Sequence, residues 1–255
     1  MIQDFINYCL ADGYSRSTIH RTLIYIKSVL KYATDMGIKT NASKIEFYFG
    51  QERCSTIVTL SEQELSLINE TEVPDRLRDS KHWLLISCYT GQRYSDFIRF
   101  TDKQIKTVNN VPCIHFVQQK TKKEILLPLH PIVQKIIENR QGFPPTVYLQ
   151  KYNSQIKEIA KFVGINEEIT TNLRLGHRKK FIRTEKWRCL SSHIGRRSFA
   201  TNFHGQIPTS LLITATGHSS EKMFLNYIKP LNTEHAVLLN NYFEETYKRR
   251  ILKQN

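Results

Sequence analysis

No run of apolar residues in this sequence approaches the ~18 that a membrane-spanning helix needs. Acidic side chains are scarce, 23 against 37 basic ones. The five cysteines (Cys9, Cys54, Cys88, Cys113 and Cys189) are scattered and odd in number, with no C-x-x-C pair of metal-binding spacing and no secretory disulfide framework. Most fall among apolar neighbours, so buried thiols are expected. The opening Met1–Leu10 lacks the charged start and small-residue cleavage site of a signal peptide. These absences argue against a membrane-embedded or disulfide-stapled secreted protein and suit a reducing cytoplasm. There is also no internal repeat, low-complexity tract, phosphate-cradling P-loop, H-E-x-x-H pair or obvious acidic metal cluster.

What is present is a chain of 255 residues, 40% hydrophobic, enough for one substantial core and a smaller satellite domain. A charged fraction of 24% and an aromatic fraction of 11% are those of a globular protein. The net charge of +14 points to a polyanionic partner. Its distribution is more informative than its size. Residues 171–255 hold fifteen Lys/Arg against five Asp/Glu, so ten of the fourteen excess charges lie in the last third. A one-sided field of this kind draws phosphate backbones and makes binding salt-dependent.

Along the chain, Phe5, Ile6, Cys9 and Leu10 form a helical stripe, Gly13-Tyr14-Ser15 a turn, and a second helix is expected from about Ser17. Its stripe is Ile19, Leu23, Ile26, Leu30 and Ala33, with Gly37 as C-terminal cap. Residues 40–56 read as a linker. A larger domain then opens on the capping-box pattern Ser61-Glu62-Gln63-Glu64. The apolar stretch Trp83–Tyr89 predicts a central helix stopped at Gly91. Cys113–Gln118 and Ile125–Leu129 predict two strands joined by a Lys-rich turn, followed by helices at Pro131–Arg140 and Asn153–Val163. Arg174–Arg188 is a basic hairpin or loop, and three or four helices are expected from Ser192 onward. The expected fold is mainly α with a small antiparallel β-sheet (α+β).

Four patches carry side chains suited to phosphoryl transfer. In Thr90-Gly91-Gln92-Arg93-Tyr94-Ser95-Asp96, a glycine turn puts Arg93 at a helix start, where its guanidinium can grip two phosphate oxygens. A surface arginine paired with Asp96 is the ordinary alternative. In Gln119-Lys120-Thr121-Lys122-Lys123, a lysine at a hairpin tip can enter a DNA groove and protonate a departing oxygen. A solvated lysine cluster guarding a sheet edge explains the same residues. In Ser192-His193-Ile194-Gly195-Arg196-Arg197, Ser192 as N-cap would set His193 and Arg196 on one helical face, pairing a proton acceptor with an anion clamp. Arg197 points away. The fourth patch is Thr216-Gly217-His218, followed nine residues later by Tyr227. Gly176-His177 looks similar, but Lys186 stands nine residues after it, so no nucleophile follows that copy.

The order Thr-Gly-x-Arg, hairpin lysine before Pro128-Leu129, His-x-x-Arg with Ser198–Thr201, and Gly-His with a tyrosine nine later resembles the tyrosine recombinase, or phage integrase, family. The resemblance runs from about Ile57 to Tyr227. The Lys-Thr turn and the Arg-Arg-Ser-Phe segment are similar to integrases of Bacteroidetes mobile elements. It implies a site-specific DNA recombinase working through a 3′-phosphotyrosyl link, with no cofactor, metal or ATP. Arg93 and Arg196 would hold the scissile phosphate, Tyr227 would attack it, and Lys120 would protonate the leaving 5′ oxygen. His193 would assist proton transfer, and His218 would hydrogen-bond a phosphate oxygen. It also implies a short helical core-binding domain and linker at 1–56 and a catalytic domain at 57–255. That first domain holds about two helices where the family has four or so, and Asp96 stands where the family more often has Glu.

The implied partner is double-stranded DNA, contacted by Lys122, Lys123, Arg178, Lys179, Lys180 and Arg183 among others. The pattern after Thr233, Ala236 to Phe243 and then Lys248-Arg249-Arg250, implies a terminal helix that docks on a neighbouring protomer in a dimer of dimers on DNA. A cytoplasmic, nucleoid-associated protein is expected. Two other readings stand beside this one: a type IB topoisomerase or resolvase activity, and a non-catalytic DNA-binding relic of an integrase.

Overall fold

The computed structural model describes residues 2–42, 46–47, 57–175 and 178–228, with the backbone alone at 174–175 and 178–179. The chain forms two compact units, Met1–Thr56 with Glu168–Thr184, and Ile57–Glu167 with Glu185–Asn255. Among the described residues no helix is long and apolar enough to cross a membrane. The fold is mainly helical with a small antiparallel sheet.

In the first unit, α1 (Ile2–Ala11) and α2 (Arg16–Asp35) are joined by the Gly13 turn. Helix α2 starts one residue before Ser17, capped by Ser15, whose side chain accepts from the Thr18 amide at 3.2 Å. Gly37, at φ +85°, ends it, with the Ile38 amide donating to Ala33 O at 3.0 Å. Only the first half of the expected α2 stripe is buried: Ile19 and Leu23 join Ile6 and Cys9 in one cluster, whereas Ile26 is exposed and Leu30 and Ala33 half-buried. A cluster of this size cannot cover five turns of helix. The basic stretch resolves into paired strands, β4 (Glu168–Leu175) and β5 (Arg178–Glu185).

The second unit is organised around the central helix. The capping box at Ser61 opens α3 (Glu62–Glu70), as its sequence pattern requires. Helix α4 (Asp75–Thr90) is buried continuously from Trp83 to Thr90 and stops at Gly91 in the left-handed conformation. A single turn, α5 (Tyr94–Phe97), leads to a three-stranded antiparallel sheet of β1 (Ile105–Val108), β2 (Val111–Val117) and β3 (Glu124–Pro128). The sequence reading missed β1. It is a mostly exposed edge strand with no core-facing alternation, joined to β2 through Asn109 and Asn110 at positive φ, a conformation asparagine tolerates. Helix α6 (Pro131–Arg140) matches its expected bounds, whereas α7 (Leu149–Phe162) begins four residues before Asn153.

A short 3-10 turn, Lys186–Cys189, precedes α8 (Ile194–Phe203), α9 (Thr209–Thr216) and α10 (Glu221–Leu225). Helix α8 lies directly on α4: a Cβ added at Gly195 would stand 2.1 Å from Ser87 Oγ. Phe199, Ala200, Leu212, Phe224 and Ile228 then bind α8, α9 and α10 into one cluster, against which Tyr227 packs. Of the four cysteines in described positions, Cys9, Cys88 and Cys113 are buried free thiols and Cys189 is half-buried. Gly176-His177 and the proposed terminal helix after Thr233 lie outside the described residues.

Candidate active site

Arg93 is the N-cap residue of α5, directed there by the reversal at Gly91. It is not paired with Asp96. Its Nη1 donates to Gln118 Oε1 at 3.3 Å, while Asp96 Oδ1 accepts from the Gln119 amide at 2.7 Å. The other Asp96 oxygen is buried without a hydrogen-bond partner among the described residues.

The hairpin between β2 and β3 closes through the Gln118 amide donating to Lys123 O at 2.8 Å and the Lys122 amide to Gln118 O at 3.0 Å. Lys120 is exposed in its tip and Lys122 occupies a left-handed position. Lys123 instead turns inward at its end, and its Nζ donates to His218 O at 2.9 Å.

At the start of α8 the N-cap is His193, not Ser192, and no side chain caps the helix. Ser192 fails as a cap because its position is set from elsewhere, its amide donating to Asn153 Oδ1 at 2.7 Å. His193 and Arg196 still stand one turn apart. The His193 ring is lowered in pKa by loss of surrounding water and then by the charges of Arg197, Arg196, Arg93 and Lys120. The residue as a whole is nonetheless exposed. Arg196 is fully buried, donating from Nη1 to Gly91 O at 3.0 Å and from Nη2 to His218 Nε2 at 3.0 Å. Burial and the neighbouring Arg93 charge bring its pKa down to about 10, opposed by Tyr227 and Asp96.

His218 is 3% exposed. Thr216 Oγ1 donates to Leu212 O at 2.6 Å, so its lone pair receives the proton on His218 Nδ1 at 2.7 Å. That leaves the Nε2 lone pair to accept from Arg196. Burial, followed by the charges of Arg196, Arg93 and Lys123, pushes the His218 pKa down to about 3, so the ring is neutral. Tyr227 completes the group. Its ring lies 4.9 Å from that of His218, and the Arg196 guanidinium stands 5.6 Å from its centroid.

Five expected residues, Arg93, His193, Arg196, His218 and Tyr227, thus converge on one locus, with Lys120 close enough for its charge to act on His193. Of the expected backbone-contacting residues, Lys122 and Lys123 belong to the hairpin, while Lys180 and Arg183 are exposed on β5, Arg183 in an ion pair with Glu168 at 2.5 Å. Nothing is described for the side chains of Arg178 and Lys179. Sequence reasoning missed Gln92, Gln118 and Thr216, which hold the site from within. Gln118 left a trace: it continues the core-facing alternation of Ile114 and Phe116, a polar residue where an apolar one is due. Among the described residues no group of three or more His, Cys, Asp or Glu side chains is placed to hold a metal ion.

No family model matches the chain, and no curated protein matches it. Solved structures do. The Tn1549 transposon integrase in complex with transposon right-end DNA superposes with a TM-score of 0.63 at 15% identity, over 95% of this chain and 84% of that one. A lambda integrase dimer bound to a COC′ core site gives 0.60 at 18%, over 89% and 77%. The XerH site-specific recombinase bound to difH substrate gives 0.56 at 17%, over 88% of this chain and 65% of that one, so the chain spans less than two thirds of that protein. At these identities the likeness defines the fold.

Proposed function

We propose that this chain, which has the tyrosine recombinase fold, breaks and rejoins duplex DNA through a covalent bond between Tyr227 and a backbone phosphate. The observation that carries the reading is the position of the Tyr227 ring against Arg196 and His218, inside a cluster of positive charge that includes Arg93. A phenol titrates near 10 in water and is a weak nucleophile at neutral pH, so it needs cationic surroundings and a proton acceptor. In this reading Tyr227 Oη attacks phosphorus and the bond to the 5′ oxygen breaks, leaving a 3′-phosphotyrosyl link. Arg93 and Arg196 stabilise charge on the non-bridging oxygens. Lys120 supplies the proton to the leaving oxygen, and His193, whose pKa is lowered by burial and the neighbouring cations, takes the proton from Tyr227. The link conserves the phosphodiester energy, so rejoining runs the same steps backwards.

His218 has a more particular part than the sequence implied. Its Nε2 lone pair holds Arg196. To hydrogen-bond a phosphate oxygen, the ring must release Arg196 and present a proton at Nε2. Residues 1–56 are assigned as a short core-binding domain with its linker, and 57–255 as the catalytic domain. The partner is double-stranded DNA, on which copies of the chain assemble as a dimer of dimers, in a cytoplasmic, nucleoid-associated setting. The lambda integrase structure, a dimer on a core site, supports the DNA-bound oligomer.

A pool of nicked duplexes randomised around the break tests this. The wild-type chain traps a covalent protein–DNA complex from the pool, and Tyr227→Phe traps none. A complex that survives Tyr227→Phe refutes the assignment of the nucleophile. DNA binding without any complex from the wild type favours the non-catalytic relic instead. Sequencing the trapped ends identifies the recognised site and separates integration from resolution or relaxation.

A further inference from the structure

We infer that Gln118 is a positioning residue of this site, setting Arg93, the hairpin tip and the Thr216–His218 turn in one geometry. The inference rests on reading the site as a phosphoryl-transfer centre. An α-helix leaves its last carbonyls without partners in the helix. At the end of α9 the Gly217 and His218 amides close on Thr214 O and Ile213 O, both at 3.1 Å. Three of the next four carbonyls are taken by side chains from distant patches. Ala215 O accepts from Gln92 Nε2 at 2.8 Å, Thr216 O from Gln118 Nε2 at 2.9 Å, and His218 O from Lys123 Nζ at 2.9 Å. The turn that presents His218 is therefore tied to both the Arg93 patch and the hairpin.

Gln118 is the junction. It is fully buried, and its amide has every valence in use. Nε2 donates to Gln92 Oε1 at 2.9 Å as well as to Thr216 O, while Oε1 accepts from Arg93 Nη1 at 3.3 Å and Thr121 Oγ1 at 2.5 Å. The amide's orientation is unambiguous, since a carbonyl can only accept and a guanidinium can only donate. Gly217 permits the approach: a Cβ there would lie 2.4 Å from Gln118 Oε1. A saturated buried amide of this kind cannot rotate without abandoning several partners together. Loss of it frees the Arg93 guanidinium and loosens the hairpin from the His218 turn, though Gln118 itself touches no reacting atom.

Gln118→Met keeps length and volume while removing the amide, and Gln118→Glu keeps the acceptor toward Arg93 while removing both donors. Both variants are to be assayed for DNA affinity, thermal midpoint and single-turnover cleavage on the trapped duplex. Cleavage is expected to fall about a hundredfold, the scale of a misplaced catalytic group, with DNA affinity within about threefold of wild type. The decisive arm uses a methylphosphonate at the scissile position, where one non-bridging oxygen becomes an uncharged methyl group. If Gln118 acts through Arg93, its loss matters far less there, within about fivefold, because less negative charge develops. An equal penalty on both substrates, or none on either, overturns the inference. A readout independent of cleavage separates its failure from that of the proposed function. In the DNA-free protein, the Arg93 guanidinium and His218 ring resonances shift together in Gln118→Met. If neither moves, the junction has no positioning role, whether or not the wild type cleaves.

Discussion

Two arginines and a histidine define the electrostatics around Tyr227, and two of them, Arg93 and His218, predict different behaviours. Arg93 is half-buried, with its guanidinium anchored by an amide oxygen and, among the described residues, by no carboxylate. Arg93→Ala is accordingly expected to leave duplex affinity within about threefold while single-turnover cleavage drops roughly 10²–10³-fold. Parallel loss of both in a filter-binding and cleavage comparison makes Arg93 a binding residue instead. His218 predicts a pH effect on stability. Its pKa, ordinarily 6.5 for an imidazole, is about 3 in the folded protein. The unfolded chain therefore takes the proton first as pH falls, and the stability His218 contributes is complete above about 6.5 and drains away toward about 3. His82, held at about 4 by burial and the charge of Arg140, works in the same direction. Unfolding free energies are expected to decline between about pH 6.5 and pH 4, by on the order of 1 kcal/mol per pH unit and titrating group. His218→Gln removes a titrating group and so flattens part of that slope; an unchanged slope means His218 takes up its proton as readily in the folded chain as in the unfolded one.

Among the elements, the crossing of α4 and α8 holds the site together, because it sets Arg196 against Gly91 O. The two helices touch where Gly195 meets Ser87, with a hypothetical Cβ 2.1 Å from Ser87 Oγ and 2.7 Å from the Ser87 carbonyl carbon. Gly195→Ala must push the helices apart, and overpacking of this kind costs up to about 3 kcal/mol. Ser87→Ala removes the hydroxyl but leaves the backbone contact, so the double variant is expected to recover little of the loss. Full recovery of the thermal midpoint would show that only the hydroxyl was in the way. The hairpin divides its lysines by the same kind of constraint. Lys123 sits at the ladder's end and is held by His218 O, whereas Lys120 at the tip is left exposed. Sequence spacing marked three candidate lysines in that turn, and the strand register assigned them different surroundings. Strand β1 escaped sequence reading for a related reason, since an edge strand of exposed residues leaves no periodic signal.

At the scale of the whole molecule, charge is the quantity that counts. The excess of ten positive charges in residues 171–255 includes the strand β5, with Arg178, Lys179, Lys180 and Arg183. Neutralising Arg178, Lys179 and Lys180 is expected to flatten the dependence of log affinity on log salt by up to about 0.9 for each phosphate that no longer meets a cation. Binding titrations at several salt concentrations measure this slope directly, and an unchanged slope removes β5 from the interface.

The sequence alone was enough for the α+β class, the capping box at Ser61, the stop at Gly91, the bounds of α6 and the residues Arg93, Arg196, His218 and Tyr227 as candidates. Each of these is written in short-range patterns: a cap spacing, a helical period, a glycine that must be left-handed, or motifs in a recurring order. Tertiary structure alone decided what those residues touch. It moved the α8 cap from Ser192 to His193, exposed the second half of the α2 stripe, and gave His218 the tautomer that holds Arg196. It also brought out Gln118, whose partners lie 25 residues before it at Arg93 and 98 after it at Thr216. No local period records a polar contact across such separations. It exists only once burial forces each amide valence to find a partner.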